Sequence, residues 1–349
     1  MKPRLIDIAR RADVSEATVS RVLNARPGVN EATRSAVLEA ARALGRELPA
    51  AVAVREALVG VLVPDVENPV FAQWAERIEA ELFQRGAAML LAVRPRSLER
   101  EREILERFAR VGAQGIIVVS GHHAQETADV SHYRELSALG MPLALVNGVR
   151  ADIDAAFVST DDARAVAVAV AHLRELGHVG LGLAMGDERT WPVREKVHAF
   201  ERLAHGGAAL PVAYTDFTYA GGYQAAVELV GRGCTAILCG SDVMAAGALE
   251  GVRGLGLEVP RDVSVVGYDD SQWAAMTSPP LTSVRQSVPQ MARAVVRAVL
   301  EGGEGSRRPR RTEAVMAPEL IVRGSTAAAP AVAVFPAPTR AGAADTMVG

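Results

Sequence analysis

Residues 5–24 read LIDIARRADVSEATVSRVLN, with the spacing of two short helices joined by a tight turn. Apolar residues from Leu5 to Ala12 recur at helical intervals and so share one face. Ser15 follows the break and can cap a second helix by accepting a hydrogen bond from a backbone N–H two or three residues on. We expect that second helix over residues 16–23.

A third helical stripe follows a loop that contains Pro27 and Gly28. Asn30 is a candidate N-cap, the apolar stripe runs to Leu44, and Gly45 stands where a helix ends on a left-handed residue. The first 45 residues therefore predict a small domain of three helices.

The second of these helices presents short polar side chains, which can approach base edges in the major groove when a helix lies there. Arg21 can fork onto guanine O6 and N7 or onto a phosphate, and the sequence leaves both open. Residues 1–49 carry a net charge of +3, whereas the remainder carries −6. A basic end on an acidic body is typical of a domain that binds nucleic acid.

The rest of the chain alternates short runs of Val, Ile and Leu with amphipathic helices. Strands that are apolar on both faces and separated by helices predict doubly wound parallel sheets, here in two lobes. The runs are LVGVLV (58–63), AAMLLAV (87–93), GIIVVS (115–120), LALVN (143–147), VGLGLA (179–184), TAILCG (235–240) and VSVVGY (263–268). The charged segment 98–111 predicts a solvated helix with Leu98, Ile104, Leu105, Phe108 and Val111 inward.

Composition limits the classes of protein. The chain has 349 residues, of which 49% are hydrophobic and 4% aromatic, so we expect a large core of Ala, Val and Leu. Cys234 and Cys239 lie in or beside an apolar run and indicate buried thiols. The sequence shows no secretion signal and no membrane-length apolar run, which predicts a cytoplasmic protein without a membrane partner.

The sequence contains none of the common local motifs for catalysis, nucleotide binding or metal binding. No nucleotide loop, nucleophile elbow or metal-ligand spacing occurs, so we predict neither an enzyme, a cofactor nor a metal site. His122 and His123 follow a predicted strand and favour a place at a pocket rim over metal binding.

The runs DIARRADVSEATVSRVLN and VNEATRSAVLEAARALG resemble the DNA-binding headpiece of the LacI (lac repressor) family. Downstream, GVLVPDVENPVF, HLRELGHVGLGLAMG, SDVMAAGAL and VPRDVSVVGYDD resemble that family's sensor, which is similar to periplasmic sugar-binding proteins. The resemblance covers residues 3–324. It implies a transcription regulator, most simply a repressor, that binds a palindromic operator as a dimer and responds to a small, sugar-like effector between the lobes.

The resemblance also implies site residues. Those matching the DNA-binding segments, of which Glu16 and Ala17 would set the operator sequence, are Leu5, Ser15, Glu16, Ala17, Thr18, Ser20, Arg21, Asn24, Asn30, Thr33 and Arg34. Those matching effector positions are Val70, Phe71, Ser120, Asn147, Lys196, Phe217, Ser241 and Asp269.

Several of these assignments have structural alternatives. Ser15 can act only as a cap, and Thr18 can belong to the headpiece core. Phe71 and Phe217 can pack in the core, and Asp269 can cap a strand end.

We expect residues 1–46 to form the helix-turn-helix domain, 47–57 a hinge, 58–324 the sensor and 325–349 a disordered tail. Within the sensor, one lobe would comprise about 58–155 with 288–314, and the other about 156–287 with 315–324. The tail lacks leucine heptads of the kind that form tetramers, which favours a homodimer.

Two departures from the family pattern stand out. The hinge is several residues shorter than usual and Leu58 lies later than the expected minor-groove wedge, which puts insertion of a side chain into the minor groove in doubt. Lys196 stands where most relatives carry an Arg that forks onto the ligand, and Lys cannot make that planar contact. Either the effector differs from the usual sugars, or Lys196 is a surface residue.

Two other classes of protein share the predicted sensor fold. A solute-binding protein of transport would need a secretion signal, and an enzyme would need a catalytic constellation. Neither would need the headpiece, so the first 45 residues favour the regulator.

Overall fold

The computed structural model describes residues 3–24, 26, 28–46, 57–94, 97–203, 210–301 and 311–331. The chain divides into two units, Met1–Leu58 and Val59–Gly349. The predicted hinge over 47–57 lies outside the described residues except for Ala57, which begins the first strand together with Leu58.

In the smaller unit the helices are α1 (Leu5–Ala12), α2 (Glu16–Leu23) and α3 (Glu31–Ala43). Their inward faces meet in one apolar cluster that includes Ile8, Val19 and Val37. The bounds of α2 are those that the sequence predicts.

The predicted helix ends of this unit are confirmed. The Ser15 hydroxyl accepts from Thr18 N at 3.1 Å, and the Asn30 side chain accepts from Thr33 N at 2.8 Å. Gly45 has a φ of +73°, which glycine adopts without strain. These caps satisfy backbone groups that the helices leave without partners.

The larger unit contains two sheets with helices around them, as predicted. Its strands are β1 (Ala57–Val63), β2 (Ala87–Val93), β3 (Gly115–Val119), β4 (Leu143–Val146), β5 (Ala156–Thr160), β6 (Leu181–Met185), β7 (Val212–Tyr214), β8 (Ala236–Cys239), β9 (Ser264–Asp269), β10 (Thr282–Arg285), β11 (Thr312–Met316) and β12 (Glu319–Ile321). Its helices are α4 (Pro69–Gln84), α5 (Leu98–Arg110), α6 (Ser131–Ala138), α7 (Asp162–Glu175), α8 (Trp191–Arg202), α9 (Tyr219–Gly231), α10 (Asp242–Gly254) and α11 (Val288–Glu301).

Each sheet defines a lobe. The first lobe has the strand order β2-β1-β3-β4-β5-β11, and the second has β7-β6-β8-β9-β10-β12. The pairing is parallel from β1 across to β11, whereas β12 runs antiparallel to β10. Because the chain enters each sheet repeatedly from helices, the carboxyl ends of the strands collect at one edge of each sheet.

The lobe boundaries differ slightly from the prediction. β5 pairs with β4 and β11 in the first sheet, so the chain passes to the second lobe after Thr160 and not near residue 155. It returns between Arg285 and Val288 and crosses again between Met316 and Glu319. The run AFVST of β5 was missed because it is short and includes polar residues.

The predicted tail begins too early. The Ser325 hydroxyl accepts from Thr282 N at 2.8 Å and donates to Val265 O at 2.6 Å, and Ala329 N donates to Leu176 O at 2.8 Å. Small side chains allow this segment to pack on the second lobe. The predicted disorder of residues 332–349 falls outside the described residues.

The burial of the cysteines and of helix α5 agrees only in part with the sequence predictions. Both cysteines are buried as predicted, and burial raises the pKa of the Cys234 thiol to about 12. Val111, expected inward, is half-exposed because α5 ends at Arg110. Glu101, by contrast, faces the core and is fully buried. No helix within the described ranges is long and apolar enough to cross a membrane.

Candidate functional site

The exposed face of α2 carries residues that the sequence predicts to contact DNA. Ser15, Glu16, Ala17 and Arg21 are exposed. Arg21 makes no ion pair with a described residue, so its guanidinium is available to an external partner. Thr18 and Ser20 are partly buried at the edges of this face, and the Thr18 and Ser15 hydroxyls lie 2.9 Å apart. Ser15 therefore caps α2 and still borders its exposed face.

The remaining headpiece candidates frame this helix. The Asn24 amide donates to Ser20 O at 2.8 Å at the end of α2, and Arg34 Nη2 donates to Arg26 O at 3.5 Å. Asn30 and Thr33 meet in the cap of α3. Leu5 is partly buried and packs against the apolar cluster of the three helices.

A cavity of about 250 Å³ lies between the two lobes of the larger unit. Its walls come from the carboxyl ends of strands and from the first turns of the helices that follow them. All eight predicted effector residues line this cavity: Val70, Phe71, Ser120, Asn147, Lys196, Phe217, Ser241 and Asp269. Sequence positions up to two hundred residues apart are thus brought to one site.

On the first lobe, tight backbone turns present the polar groups. Ser120 and Asn147 follow β3 and β4 with φ values of +49° and +65°. The Asn147 amide donates to the Ser120 hydroxyl at 2.9 Å. Val70 and Phe71 lie in the first turn of α4, where Asn68 accepts from Val70 N at 3.3 Å. This wall combines an amide, a hydroxyl and an aromatic ring.

On the second lobe, Phe217 lies over glycine backbone. A Cβ at Gly186 or Gly240 would overlap the Phe217 ring, so both positions leave room for it. Phe217 is 42% exposed, which argues against the alternative that it packs in the core. Ser241 caps α10 by accepting from Met244 N at 3.2 Å.

Asp269 ends β9 in a backbone conformation that side chains rarely adopt, with a φ of +111°. Its carboxylate is buried and accepts from Gln286 Nε2 at 2.6 Å, so it does not cap the strand end. Burial raises the pKa of Asp269, and the nearby Asp242 carboxylate raises it further.

Asp242 lies behind the cavity wall, where it accepts from the Ser283 hydroxyl and from Ser271 N, each at 2.6 Å. Burial raises the pKa of Asp242 to about 6 despite these hydrogen bonds. Burial thus raises the pKa of both carboxyl groups above that of an exposed aspartate.

Lys196 is buried, which rules out the surface alternative. Its Nζ donates to Asp162 Oδ1 and lies 4.1 Å from the centre of the Tyr268 ring. The Tyr268 hydroxyl donates to the same carboxylate oxygen at 3.1 Å. Burial raises the pKa of Asp162, and Lys196 opposes that shift. The charge of Lys196 is thus balanced by Asp162 inside the protein, although Lys196 still lines the cavity.

Sequence reasoning missed part of the lining. The missed positions are Pro64, Asp65, Asn68, Arg94, Gly121, Ala124, Gln125, Thr190, Pro192, Gly240, Tyr268 and Gln286. Most directly follow a strand or precede a helix, which is the signal that could have found them. Arg94 follows β2 and Gln286 follows β10, for example.

The lobes also touch through a cross-cleft bridge formed by residues 125–126 and 189–194. Gln125 and Thr190 pair as an antiparallel β-bridge, and Glu126 N donates to Arg189 O at 3.2 Å. Arg194 forms an ion pair with the Glu126 carboxylate. This bridge closes one side of the cavity.

His122 and His123 do not occupy the pocket rim that the sequence favours. They lie in a 3₁₀ helix, and both side chains are buried. The buried Glu101 carboxylate holds His122 on the inner side of this helix. Glu101 accepts from His122 Nδ1 at 2.7 Å and from the Tyr133 hydroxyl at 2.5 Å. Among the described residues, no group of His, Cys, Asp and Glu is arranged to hold a metal ion.

Comparison with known proteins agrees with this geometry. The profile of the LacI family of bacterial regulatory proteins matches residues 4–45, and that of a periplasmic binding protein-like domain matches residues 170–326. The HTH-type transcriptional regulator MalR of Streptomyces coelicolor is 47% identical over 339 residues, which cover 95% of this chain and 98% of the relative. The chain belongs to the LacI family.

Solved structures of LacI-family proteins resemble it in fold. The complex of the transcriptional regulator CelR with cellobiose has a TM-score of 0.69 at 29% identity, covering 93% of this chain and 99% of CelR. The lac repressor dimer bound to operator and the anti-inducer ONPF has a TM-score of 0.71 at 24% identity, covering 94% and 100%. This LacI-family member is a DNA-binding transcription regulator, and its relatives are regulators and not enzymes.

Proposed function

We propose that this LacI-family regulator is a repressor that binds a palindromic operator as a homodimer and changes its affinity for DNA when a sugar occupies the inter-lobe cavity. The observation that carries the proposal is the convergence of all eight predicted effector residues on that cavity, in a chain that also has the exposed face of α2. A protein with this role acts in the cytoplasm, where its operator lies.

The headpiece supports the DNA part of the proposal. An eight-residue helix is about 12 Å long and reads only a few base pairs, so one copy covers half of a typical operator. Two copies related by a twofold axis would read a palindrome. In this arrangement Glu16 and Ala17 select bases, Ser20 and Arg21 contact bases or phosphates, and the start of α3 contacts the backbone.

The cavity supports a sugar as the effector. Phe71 and Phe217 offer apolar faces to a sugar ring, while Asn147, Ser120 and Asp269 offer hydrogen-bonding groups to its hydroxyls. The volume is just below the ~300–1,000 Å³ of drug-sized pockets, which suits a compact ligand of one or two rings. Related proteins have been solved with cellobiose and with ribose.

Selection of bound DNA from random sequence, with and without a panel of neutral sugars, tests the proposal. We expect a palindromic consensus, binding by two copies of the chain per site, and release or tightening with one sugar. A consensus without twofold symmetry would contradict the dimeric readout, and indifference to every sugar would contradict the effector.

Arg21→Ala tests the reading helix. If Arg21 forks onto a base, its loss costs about 1–3 kcal/mol at one operator position and relaxes specificity there. Binding titrations on operators changed at each position measure this. Arg42→Ala is the matched control, because Arg42 is an exposed cation of the same unit outside α2. If Arg21→Ala instead weakens binding equally at every operator position and changes only the salt dependence, Arg21 is a phosphate contact.

A further inference from the structure

Arg94 brings a guanidinium to the cavity from the first lobe, opposite Lys196. It directly follows β2, and its backbone N donates to Val63 O at 2.6 Å, which ties it to the end of β1. The backbone position of Arg94 is therefore fixed by the sheet and is not that of a loose surface loop.

The Arg94 side chain has no hydrogen-bonding or ionic partner among the residues that the structure describes. Its Nε is buried and has no hydrogen-bond partner, and the guanidinium makes no ion pair with any residue that the structure describes. Buried donors without partners are rare in native proteins, because leaving one unpaired costs free energy. A buried, unpaired Nε beside a ligand cavity indicates that a ligand completes its hydrogen bonding.

Lys196 cannot fill that role in the same way. Its Nζ already donates to Asp162, and an ammonium lacks the planar pair of donors that matches two adjacent oxygen atoms. We propose that Arg94 is a specificity-determining residue that forks onto two adjacent hydroxyls of the effector, in place of the forked contact that Lys196 cannot make from the second lobe. This inference rests on the proposed sugar effector.

The charges around Arg94 favour a neutral diol over an anion. The charged side chains that line the cavity are Asp65, Arg94, Lys196 and Asp269, and the Lys196 charge is already balanced by Asp162. An anionic ligand would face the Asp65 carboxylate, and Arg94 is the one cation in the described lining that lacks an acidic partner. Vicinal hydroxyls satisfy the same fork without that repulsion.

The test begins with the full chain. Cellobiose, ribose and other common neutral aldoses and disaccharides are screened for an increase in Tm, and the sugar with the largest effect is titrated by calorimetry. Arg94→Lys keeps the charge but removes the planar fork, and we expect its Kd for that sugar to rise about 10- to 100-fold. Arg253→Lys, an exposed cation outside the cavity, is the matched control and should leave the Kd unchanged.

Deoxy analogues of the same sugar separate a direct contact from a structural effect. Removing one hydroxyl of the bound pair should weaken binding to the wild-type chain but add little to the loss caused by Arg94→Lys, because both changes remove one interaction. An equal Kd for the variant and the wild type, or additive losses for every deoxy analogue, would overturn the inference.

The same titrations distinguish failure of the proposed role of Arg94 from failure of the proposed sugar effector. Tighter binding of a phosphorylated or carboxylated form of the sugar by the wild-type chain would overturn the diol assignment. A wild-type chain that no neutral sugar stabilises would contradict the sugar effector itself. Sugar binding that Arg94→Lys does not weaken would contradict only the role of Arg94. Circular dichroism and the Tm without sugar establish that the variant is folded.

Discussion

Glu101 is a fully buried carboxylate beneath the 3₁₀ helix His122–Ala124. Burial by itself would raise the pKa of Glu101, but the side chains of His122, His132 and Tyr133 outweigh burial, and the pKa lies well below its ordinary value. Because Gly121 and Ala124 line the inter-lobe cavity, this buried carboxylate supports one wall of that cavity from behind.

Glu101→Ala should lower the free energy of unfolding by about 3–5 kcal/mol at neutral pH, because it leaves buried polar partners unsatisfied. A depressed pKa stabilises the fold above the ordinary glutamate pKa, and this contribution falls as the carboxylate becomes protonated. The difference between variant and wild type should therefore narrow as the pH falls below about 4.

Urea titrations of both proteins across that pH range measure this difference. Glu103→Ala, an exposed position on the same helix, should change stability by no more than about 0.5 kcal/mol. Equal effects of the two substitutions at pH 7 would show that the buried contacts of Glu101 contribute nothing.

At this scale the sequence predicted positions better than partners. The helical period places residue 101 one turn before Leu105 and thus on the buried face, yet a glutamate in a charged run suggested a solvated one. Lys196 was found by its position, but its pairing with Asp162 depends on tertiary contacts that local sequence does not contain. The same holds for Gln125 and Thr190, which meet only when the two lobes face each other.

Among the elements, α9 and α10 are packed unusually closely through glycines. A Cβ at Gly222 would overlap the Met244 carbonyl, and one at Gly247 would overlap the Tyr219 carbonyl. The backbones of the two helices therefore touch directly, and this contact fixes the start of α10, where Ser241 faces the cavity.

Gly222→Ala should destabilise the larger unit by about 1–3 kcal/mol, because the added methyl group forces the helices apart. Gly231→Ala lies on the same helix, where a Cβ meets open space, and should instead stabilise it by about 0.5–1 kcal/mol through helix propensity. Thermal unfolding of both variants checks this. The same sign of change in Tm for the two would refute direct backbone contact as the cause.

The elements that the sequence predicted best have a strong apolar pattern. The seven apolar runs all contain strands, and α2 has its predicted bounds. The strands β5, β7, β10, β11 and β12 were not predicted, because none of them contains more than three consecutive apolar residues. Such strands form because a neighbouring strand supplies backbone hydrogen-bonding partners, and the local sequence does not show which strand will be the neighbour.

The whole molecule consists of two units of very different size. The smaller buries little apolar surface, so it should have the lower stability of the two. We expect differential scanning calorimetry of the full chain to show two transitions, with operator DNA raising one and the effector sugar raising the other.

The inter-lobe cavity lies entirely within the larger unit, so the proposed sugar effector at about 100 times its Kd should stabilise that unit alone by about 2.7 kcal/mol. A duplex without the operator serves as the control for the DNA arm. One shared transition that moves with either ligand would show that the units unfold together.

The segment around Ser325 has a practical consequence for protein engineering. A chain cut at residue 324 would lose the Ser325 side chain and leave Thr282 N and Val265 O without the hydrogen bonds that it makes to them. Truncation for crystallography, or fusion to a fluorescent reporter, should therefore keep the chain intact at least to Ala331.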